Sequence, residues 1–470
     1  MFDHYTEKKS YTGFGERRLE KRYEKIKDLL ESGQSSIINK ISSSRSERKG
    51  SYDFFRNAKV EESAIKLDIY DQLERKVQSC ESLVVFQDTS EYNYYWYKDR
   101  IRDKRGLGSL SGSEGLGYFT HPSIVLDAEE GHILGLSDLQ LWHRAEDCRG
   151  TTNRSQRAFE AKESYKWWVG ISNSHQRLSL AKCVTYVQDR EGDVFESIVR
   201  VKDLERAELL VRSRSNRKII TAKGDQSMLY EHLEQQPVAF TYELEIQSDK
   251  RKNRKKRVAQ MEVRTARVAL VRPANLDTSL AEKVQVDVVW TREKPSSVPK
   301  GEQAVDWKLI TTHQVHEQQK KIVVLINWYV QRWKAEEFFF VTKTGAYNLE
   351  KAQLESGKGL RKLALMVMNS SIKIMQLKQA RDGDKDLPIR LVFDEQEEEY
   401  LERLNPTLEG KTEKLKNPHK KGTLARAAWI IARLGGWKGY QSSRKPGTKT
   451  FRRGLDKFNI MKVAWQINPD

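Results

Sequence analysis

Apolar positions in the first part of the chain recur at the spacing of a helix. Steps of three or four residues put several of them on one helical face. A Gly/Ser break at residues 33–36 follows, and a second apolar group lies just beyond it. This pattern predicts a small helical N-terminal domain over residues 1–65. The apolar positions are Leu19, Tyr23, Ile26, Leu29, Leu30, Ile37, Ile38 and Ile41.

From about residue 82 the pattern changes to short apolar runs bounded by turn residues. Three such runs predict an antiparallel meander, and the strands and helices that follow alternate along the chain. Strand, helix, strand, helix, strand is an α/β order. The runs lie at residues 83–86, 123–126 and 133–136, and the later segments are a helix at 163–176, a strand at 183–188, a helix at 195–204 and a strand at 208–212.

A second set of strands is predicted between residues 238 and 312. The first two of its four apolar runs flank residues 250–257, where seven of eight residues are basic. A hairpin tip of that charge is expected in solvent or on phosphate. Helical spacing returns at residues 315–342 and 359–377. The four runs lie at residues 238–242, 263–271, 284–290 and 307–312.

The charge of the chain favours a polyanionic partner. Its 470 residues include 84 Lys and Arg against 66 Asp and Glu, a net charge of +18. Residues 391–410 hold seven acidic residues and one basic residue, whereas residues 411–470 hold 15 basic and three acidic ones. A surplus of this size makes nucleic acid the first candidate, with the basic tail as a contact.

No run of apolar residues is long enough for a membrane-spanning helix, and the first residues are too polar for a signal peptide. The three cysteines, Cys80, Cys148 and Cys183, form no closely spaced pair. Neither a disulfide framework nor a zinc site is indicated. The sequence therefore predicts a protein of the reducing cytoplasm without a membrane partner.

Two carboxylates follow predicted strands directly. Asp88 ends the run Val84-Val85-Phe86-Gln87, and Asp189 ends the run Thr185-Tyr186-Val187-Gln188. One Asp at a strand end is usually a turn residue. Two in one α/β unit, joined by a third carboxylate from a neighbouring helix, would form a site for two metal ions.

Residues 329–343 offer that third carboxylate. Tyr329, Arg332, Glu336 and Lys343 are separated by three, four and seven positions, so a helix would align them in one stripe. A carboxylate between cations suits magnesium and phosphate. The spacing alone also fits an ordinary amphipathic helix with ion pairs along its face, and that alternative stays open.

The arrangement Tyr, two residues, Arg, three residues, Glu, six residues, Lys is the signature of the IS-four family of DDE transposases, which this chain resembles. Other matching segments follow in the family's order from residue 15 to about residue 454. They include Gly15-Glu16-Arg17-Arg18, Asp88-Thr89-Ser90, Asp189-Arg190-Glu191-Gly192-Asp193 and Arg433-Leu434-Gly435-Gly436-Trp437.

The resemblance implies a fold. It predicts a ribonuclease H-like catalytic core over residues 66–378, a mixed sheet flanked by helices, with a β-rich insertion at about residues 230–312. The helical N-terminal domain over residues 1–65 would bind DNA, and a helical, basic domain over residues 379–470 would serve dimerisation and DNA contact. The register from Tyr329, Arg332 and Lys343 selects Glu336 over its neighbour Glu337 as the third acidic residue.

The resemblance also implies a chemistry. Asp88, Asp189 and Glu336 would bind two Mg²⁺ ions, with Mn²⁺ as a substitute. The enzyme would nick the transposon end, form and open a hairpin, and join the end to target DNA. DNA contacts are expected from Tyr329, Arg332, Lys343, Arg212, Arg190, Arg17 and Arg18, and from Trp307, which would stack on a flipped base.

The partners implied are double-stranded DNA, as terminal inverted repeats and as target, and a second copy of the chain in the synaptic complex. A cytoplasmic, nucleoid-associated, bacterial-type protein is expected. Two alternatives remain: a catalytically inactive DNA-binding protein derived from a transposase, and a nuclease of the same fold that only hydrolyses DNA.

Overall fold

The computed structural model describes residues 13–33, 35–111, 115–144, 158–248, 254–383, 385–440 and 442–467. Over these ranges the chain forms a twelve-stranded mixed sheet with helices packed against it. The predicted α/β class, a mixed sheet flanked by helices, is confirmed.

The helices surround the sheet from both ends of the chain. They are α1 (Arg17–Gly33), α2 (Ile38–Ile41), α3 (Arg45–Arg56), α4 (Glu62–Val77), α5 (Tyr165–Arg177), α6 (Phe195–Lys202), α7 (Leu229–Glu234), α8 (Gln319–Gln331), α9 (Trp333–Phe340), α10 (Gly357–Ala380), α11 (Glu395–Leu408), α12 (Leu424–Leu434) and α13 (Thr448–Ile467).

Each predicted run overlaps an observed strand, but several of the strands are longer than predicted or shifted along the chain. They are β1 (Ser82–Gln87), β2 (Ser90–Asn93), β3 (Gly117–Asp127), β4 (Ile133–Trp142), β5 (Cys183–Gln188), β6 (Ala207–Arg212), β7 (Lys218–Thr221), β8 (Gln226–Met228), β9 (Phe240–Ile246), β10 (Arg257–Val271), β11 (Lys283–Glu293) and β12 (Asp306–Thr311). Strands β2, β7 and β8 and helix α7 are too short for their periodicity to stand out in the sequence.

Five strands form the part of the sheet that carries the site, in the order β4, β3, β1, β5, β6. Strands β1, β5 and β6 are mutually parallel. Strand β3 is antiparallel to β1, and β4 is antiparallel to β3. The predicted meander of three strands is therefore confirmed. Helix α5 connects β4 to β5 and helix α6 connects β5 to β6, as parallel strands require.

The predicted β-rich insertion joins the same sheet. Strand β12 pairs with the outer side of β6, and β11, β10, β7 and β8 continue outward from it, while β9 pairs with another part of β10. Hydrogen bonds between strands thus run without a break from the meander to the last strand of this segment. Whether residues 230–312 behave as a separate domain stays a prediction.

The basic run at residues 250–257 is only partly described, because residues 250–253 lie outside the described ranges. At its end Arg257 forms ion pairs with Glu293 and Glu302, and its side chain is 13% exposed. Lys256 lies 3.1 Å from Glu245. The expectation that this run contacts solvent or phosphate is wrong for Arg257, whose guanidinium is bound within the protein.

Helix α10 is the central helix of the helical layers and is buried along nearly its whole length. Helices α1, α3 and α4 from the N-terminal part pack against it, as do α12 and α13 from the C-terminal part. The two predicted helical ends therefore meet around one helix. Among the described residues, no helix is long and apolar enough to cross a membrane.

The predicted long helix over residues 315–342 is interrupted. Helix α8 ends at Gln331, α9 begins at Trp333, and a π-helical turn at Val341–Gly345 follows α9. A π turn adds a residue to the helical repeat. The single straight stripe predicted for Tyr329, Arg332, Glu336 and Lys343 is thus wrong in detail, since Lys343 lies in the π turn.

Candidate functional site

Asp88 and Asp189 lie side by side at one edge of the sheet. Strands β1 and β5 are parallel, with Phe86 paired to Val187. Each aspartate comes directly after the last residue of its strand. Because parallel neighbours end at the same edge, the two carboxylates meet there, although 101 positions separate the glutamines that precede them.

Arg332 bridges the two carboxylates. Its Nη1 donates to Oδ2 of Asp88 at 3.0 Å, and its Nη2 lies 3.7 Å from Oδ2 of Asp189. The side chains of Arg332 and Asp88 are 13% and 19% exposed. Charge pairs with so little water contact interact more strongly than surface pairs.

Glu336 lies near this group, one turn of helix beyond Arg332. Its negative charge contributes to raising both the pKa of Asp88 and the pKa of Arg332. The adjacent Glu337 faces α10 instead, where its Oε1 accepts from Nζ of Lys378 at 2.5 Å. The two consecutive glutamates thus have separate surroundings, and Glu336 is the one whose charge acts on Asp88 and Arg332.

The two aspartates titrate differently because their neighbours differ. Burial raises the pKa of Asp88 to about 6 against the pull of Arg332 and a hydrogen bond from the Thr89 N–H, and the charges of Glu336 and Asp189 add to the rise. Burial also pushes the pKa of Asp189 upward, but Arg332, the Arg190 N–H, Arg212 and Tyr329 outweigh it and lower that pKa.

Tyr329 and Arg212 lie beside Asp189, and Trp307 packs against Tyr329. The Tyr329 hydroxyl donates to Oδ1 of Asp189 at 3.2 Å. The Trp307 ring stands edge-on to the Tyr329 ring, with centroids 5.2 Å apart. Arg212 donates from Nη2 to the Asp306 backbone oxygen at 2.9 Å, and its charge lowers the pKa of Asp189. Burial, reinforced by Asp189, raises the pKa of Tyr329 to about 12.

Lys343 lies in the π turn, beside Tyr92 of β2. Its Nζ lies 5.0 Å from the centre of the Tyr92 ring. The hydroxyl of Tyr92 is 2.6 Å from Oγ1 of Thr342. Strand β2, which follows Asp88, therefore holds the turn that carries Lys343.

The remaining predicted DNA contacts are more dispersed. Arg190 is exposed beside Asp189, and its backbone N–H lowers the pKa of that carboxylate. Arg17 and Arg18 are exposed at the start of α1, a helix that packs against α2, α3, α10 and α13. The structure therefore groups Arg190 with the aspartates and puts Arg17 and Arg18 on the helical layer.

Two buried glutamines beneath the aspartates were not singled out in the sequence. Nε2 of Gln188 donates to Oε1 of Gln87 at 2.6 Å, and Nε2 of Gln87 donates to Oγ of Ser123 at 3.1 Å. This chain of side-chain bonds crosses β5, β1 and β3. It fixes the strand ends that carry Asp88 and Asp189. The repeated pair Gln-Asp at both strand ends was the available signal.

Glycines make room for this amide chain. A Cβ on Gly170 of α5 would lie 2.2 Å from Nε2 of Gln87, and a Cβ on Gly192 would lie 2.4 Å from Oε1 of Gln188. Both distances are far below van der Waals contact. Gly192 belongs to the segment Asp189-Arg190-Glu191-Gly192-Asp193, so close packing against Gln188 requires glycine at this position of the motif.

His121 supports the residue after Asp88. It is fully buried on β3, its Nδ1 lies 2.9 Å from Oγ1 of Thr89, and its ring stands edge-on to Trp167. Burial holds the pKa of His121 well below its ordinary value, with Lys166 adding to the effect. The ring is thus neutral, and it orients the Thr89 hydroxyl.

The donor set fits a divalent cation in kind. Asp88, Asp189 and Glu336 supply carboxylate oxygens, which magnesium prefers, and burial raises the pKa of Asp88 to about 6. As the described side chains stand, no three His, Cys, Asp or Glu residues surround a common metal position. Arg332 provides the positive charge between the aspartates.

No protein-family model matches this chain.

Proposed function

We propose that this protein is a metal-dependent DNA transposase of the cut-and-paste type, as its resemblance to the IS-four family implies. The observation that carries the proposal is the contact of Arg332 with both Asp88 and Asp189. Three motifs separated by more than a hundred residues thus meet at one sheet edge. A chance amphipathic helix gives no reason for that meeting.

The strand order supports the proposal. A ribonuclease H-like core would have an antiparallel meander followed by two parallel strands on the far side of its first strand, and the order β4, β3, β1, β5, β6 has that form. Its acidic residues would follow the first and fourth strands of that core. Asp88 and Asp189 occupy those places.

Asp88, Asp189 and Glu336 would hold the divalent ions. When bound, such ions lower the pKa of an attacking hydroxyl and offset charge on the phosphate. With its pKa raised to about 6, the Asp88 carboxyl holds a proton below about pH 6 in the absence of a metal. Metal binding would displace that proton, so affinity for the ion should rise with pH through about 6.

Arg332, Tyr329 and Lys343 would hold the cut strand. A guanidinium binds phosphate with two parallel hydrogen bonds. Nη2 of Arg332 makes only a long contact with Asp189, at 3.7 Å, so it is the nitrogen that would turn to a phosphate. Trp307 is packed against Tyr329, and Arg212 lies on the same side. In this proposal these side chains position the 5′ strand while the 3′-hydroxyl reacts.

The rest of the proposal follows the same resemblance. DNA ends and target DNA are the substrates, a homodimer assembles on them through the C-terminal helices, and the protein acts in the bacterial cytoplasm at the nucleoid. Arg17, Arg18 and Arg190 contact DNA outside the reacting phosphate.

The test is a cleavage assay with purified protein, Mg²⁺ and linear DNA carrying the sequences that flank the gene. A denaturing gel separates nicked, hairpin and joined products. We expect a hairpin from the wild type and none from Glu336→Gln. Glu337→Gln is the matched control, because Glu337 is paired with Lys378 and should keep the activity.

Other results would contradict the proposal in distinguishable ways. Nicked or linear products without a hairpin would identify a hydrolytic nuclease. DNA binding without any cleavage would identify an inactive DNA-binding protein. Equal loss of the hairpin in Glu336→Gln and Glu337→Gln would show that the helix as a whole, and not Glu336, is needed.

A further inference from the structure

An exposed tryptophan stands in the loop that follows β2. Trp96 is 87% exposed, the highest value among the large apolar side chains that the structure describes as exposed. Exposing an indole of this size is costly unless it has a partner. The site around Asp88 does not use Trp96.

The loop around Trp96 is firmly held. Tyr92 and Tyr94 are fully buried against Tyr118, with the hydroxyls of Tyr94 and Tyr118 3.0 Å apart. Residues Tyr95–Tyr97 form a 3₁₀ turn, closed by a bond from the Tyr97 N–H to the Tyr94 carbonyl at 2.8 Å. Trp96 thus projects from a hydrogen-bonded turn that buried tyrosines anchor to the sheet.

The turn borders a polar cleft of about 580 Å³ between α3, residues 97–102 and residues 352–355. Four basic residues line it: Lys49, Arg56, Arg100 and Arg102. Three carboxylates also line it, Asp53, Asp99 and Glu355, so positive charges exceed negative ones by one; Glu355 lies 3.1 Å from Arg56 and 3.7 Å from the more exposed Arg102. The rings of Tyr52 and Tyr97 complete the wall.

Basic residues continue along the loop beyond Trp96. Residues 98–105 contain five basic residues and two aspartates, and Arg105 pairs with Asp103 through two nitrogens. Arg100 and Lys104 are exposed, and Arg100 lies 5.8 Å from the Tyr97 ring centre. Aromatic rings interleaved with cations are the composition of surfaces that bind single-stranded nucleic acid.

We propose that Trp96 and the adjacent cleft form a binding site for single-stranded DNA, in which Trp96 stacks on an unpaired base and Arg100 and Arg102 contact the phosphates. The DNA identity of the ligand rests on the proposed function. The site itself lies outside the group of Asp88, Asp189 and Glu336. It holds an unpaired strand on the loop that continues from Asp88 through β2.

Stacking explains why an indole is exposed here. Every base has a flat apolar face, so an exposed ring binds unpaired DNA without reading its sequence. A paired base has both faces covered by its neighbours in the duplex and cannot accept the ring. The site should therefore prefer a single strand to a duplex.

The test compares the full-length protein on a labelled oligothymidylate and on an abasic strand with the same phosphates, by fluorescence anisotropy in EDTA. One stacked base should make the thymidylate bind about 5- to 150-fold more tightly than the abasic strand. Trp96→Ala should remove that preference, and Trp96→Phe should keep part of it. Leu180→Ala is the matched control, since Leu180 is 72% exposed before β5, at the opposite sheet edge from Asp189.

The phosphate contacts have their own readout. Arg100→Gln with Arg102→Gln should reduce the slope of log affinity against log salt by about 1.4, at roughly 0.7 per phosphate contact on a single strand. Trp96→Ala should leave that slope unchanged. Unchanged thermal unfolding in each variant excludes misfolding as the cause.

Several results would overturn the assignment. A Trp96→Ala variant that still prefers the thymidylate to the abasic strand would do so, as would tighter binding of the matching RNA strand. Binding is measured without metal and is repeated in Glu336→Gln, so it does not depend on cleavage. A missing hairpin product with this preference intact would reject the proposed function alone.

Discussion

Nη1 of Arg332 donates to Oδ2 of Asp88 at 3.0 Å, although the two residues are 244 positions apart in the chain. This bond joins the break between α8 and α9 to the end of β1. The sheet edge and the helix that carries Glu336 are thus held together through a charge pair. The pair gives each of its members a measurable role in stability.

Arg332→Met should lower the free energy of unfolding by about 2 to 4 kcal/mol at pH 8, because a mostly buried aspartate loses its partner. The loss should be smaller at pH 5, where Asp88, with a pKa already raised to about 6, takes up a proton. Urea unfolding at both pH values measures this. Arg105→Met, at an arginine that is 77% exposed, should leave the free energy of unfolding nearly unchanged at both pH values. Equal losses at pH 5 and pH 8 for Arg332→Met would contradict the role of the charge.

Asp88 and Asp189 should affect the pH dependence of stability with opposite signs. The folded-state pKa of Asp88 is above its unfolded value, so the folded protein binds the extra proton and stability falls as pH rises from about 4 to about 6. The free energy of unfolding of Asp88→Asn should therefore rise relative to that of the wild type over this interval, by about 3 kcal/mol at most. The measurement is chemical unfolding from pH 3 to pH 8 in EDTA.

The lowered pKa of Asp189 works the other way. It contributes stability above its unfolded pKa of about 3.8, and this is lost as the pH falls through its folded value. Asp189→Asn should accordingly be less stable than the wild type at neutral pH, and the difference should narrow in acid. Parallel pH profiles for the two asparagine variants would be inconsistent with the separate environments described above.

The bond between Gln87 and Gln188 should appear as coupling in a double-mutant cycle. Gln188→Leu leaves the buried Oε1 of Gln87 without its donor and should cost about 1 to 3 kcal/mol. Gln87→Leu also breaks the bond to Ser123. The double variant should cost less than the sum of the two, since no amide is left unpaired. Strict additivity in guanidinium unfolding would exclude the coupling.

Affinity for random duplex DNA should fall steeply with salt, because residues 411–470 hold 15 basic and three acidic residues. Some of these cations are already bound within the protein: Arg426 lies 2.7 Å from Glu402, and Lys462 lies 3.0 Å from Glu397. The exposed Lys420 and Lys421 are better candidates.

Substituting both of those lysines with Gln should reduce the slope of log affinity against log salt by about 1.8, at roughly 0.9 per phosphate contact. Lys182→Gln, at a lysine paired with Glu81 and 71% exposed, is the comparison. Filter binding over a salt series gives the slopes. An affinity independent of salt would contradict the prediction that residues 411–470 contact DNA.

Much of the fold was predictable because it depends on local pattern. Strand β5 has the predicted bounds, and α6 and β6 differ from prediction by no more than two residues. Alternating and continuous apolar runs report which face each segment buries. The break at Arg332 and the π turn at Lys343 were not predictable, because tertiary contacts of the helix interrupt an apolar spacing that continues through both.

The carboxylates and cations of the candidate site were named from the sequence, but their partners were not, and neither were the buried Gln87, Gln188 and His121. The resemblance to the IS-four family, and not spacing alone, predicted Asp88, Asp189, Arg332 and Glu336 as a set. It gave no sign that Arg332 would bridge the aspartates, or that Gln87 would accept from Gln188. Burial and neighbouring charge determine these bonds, and both depend on segments far away in the chain.

The sequence by itself therefore determined the order of strands and helices, the excess of positive charge and the residue types at the site. The tertiary structure alone decided that Glu337 pairs with Lys378, that Arg257 is bound by two glutamates and that the β-rich segment continues the main sheet. Local periodicity depends on neighbours within a few residues, whereas each of these outcomes depends on a partner that the fold brings from a distant segment.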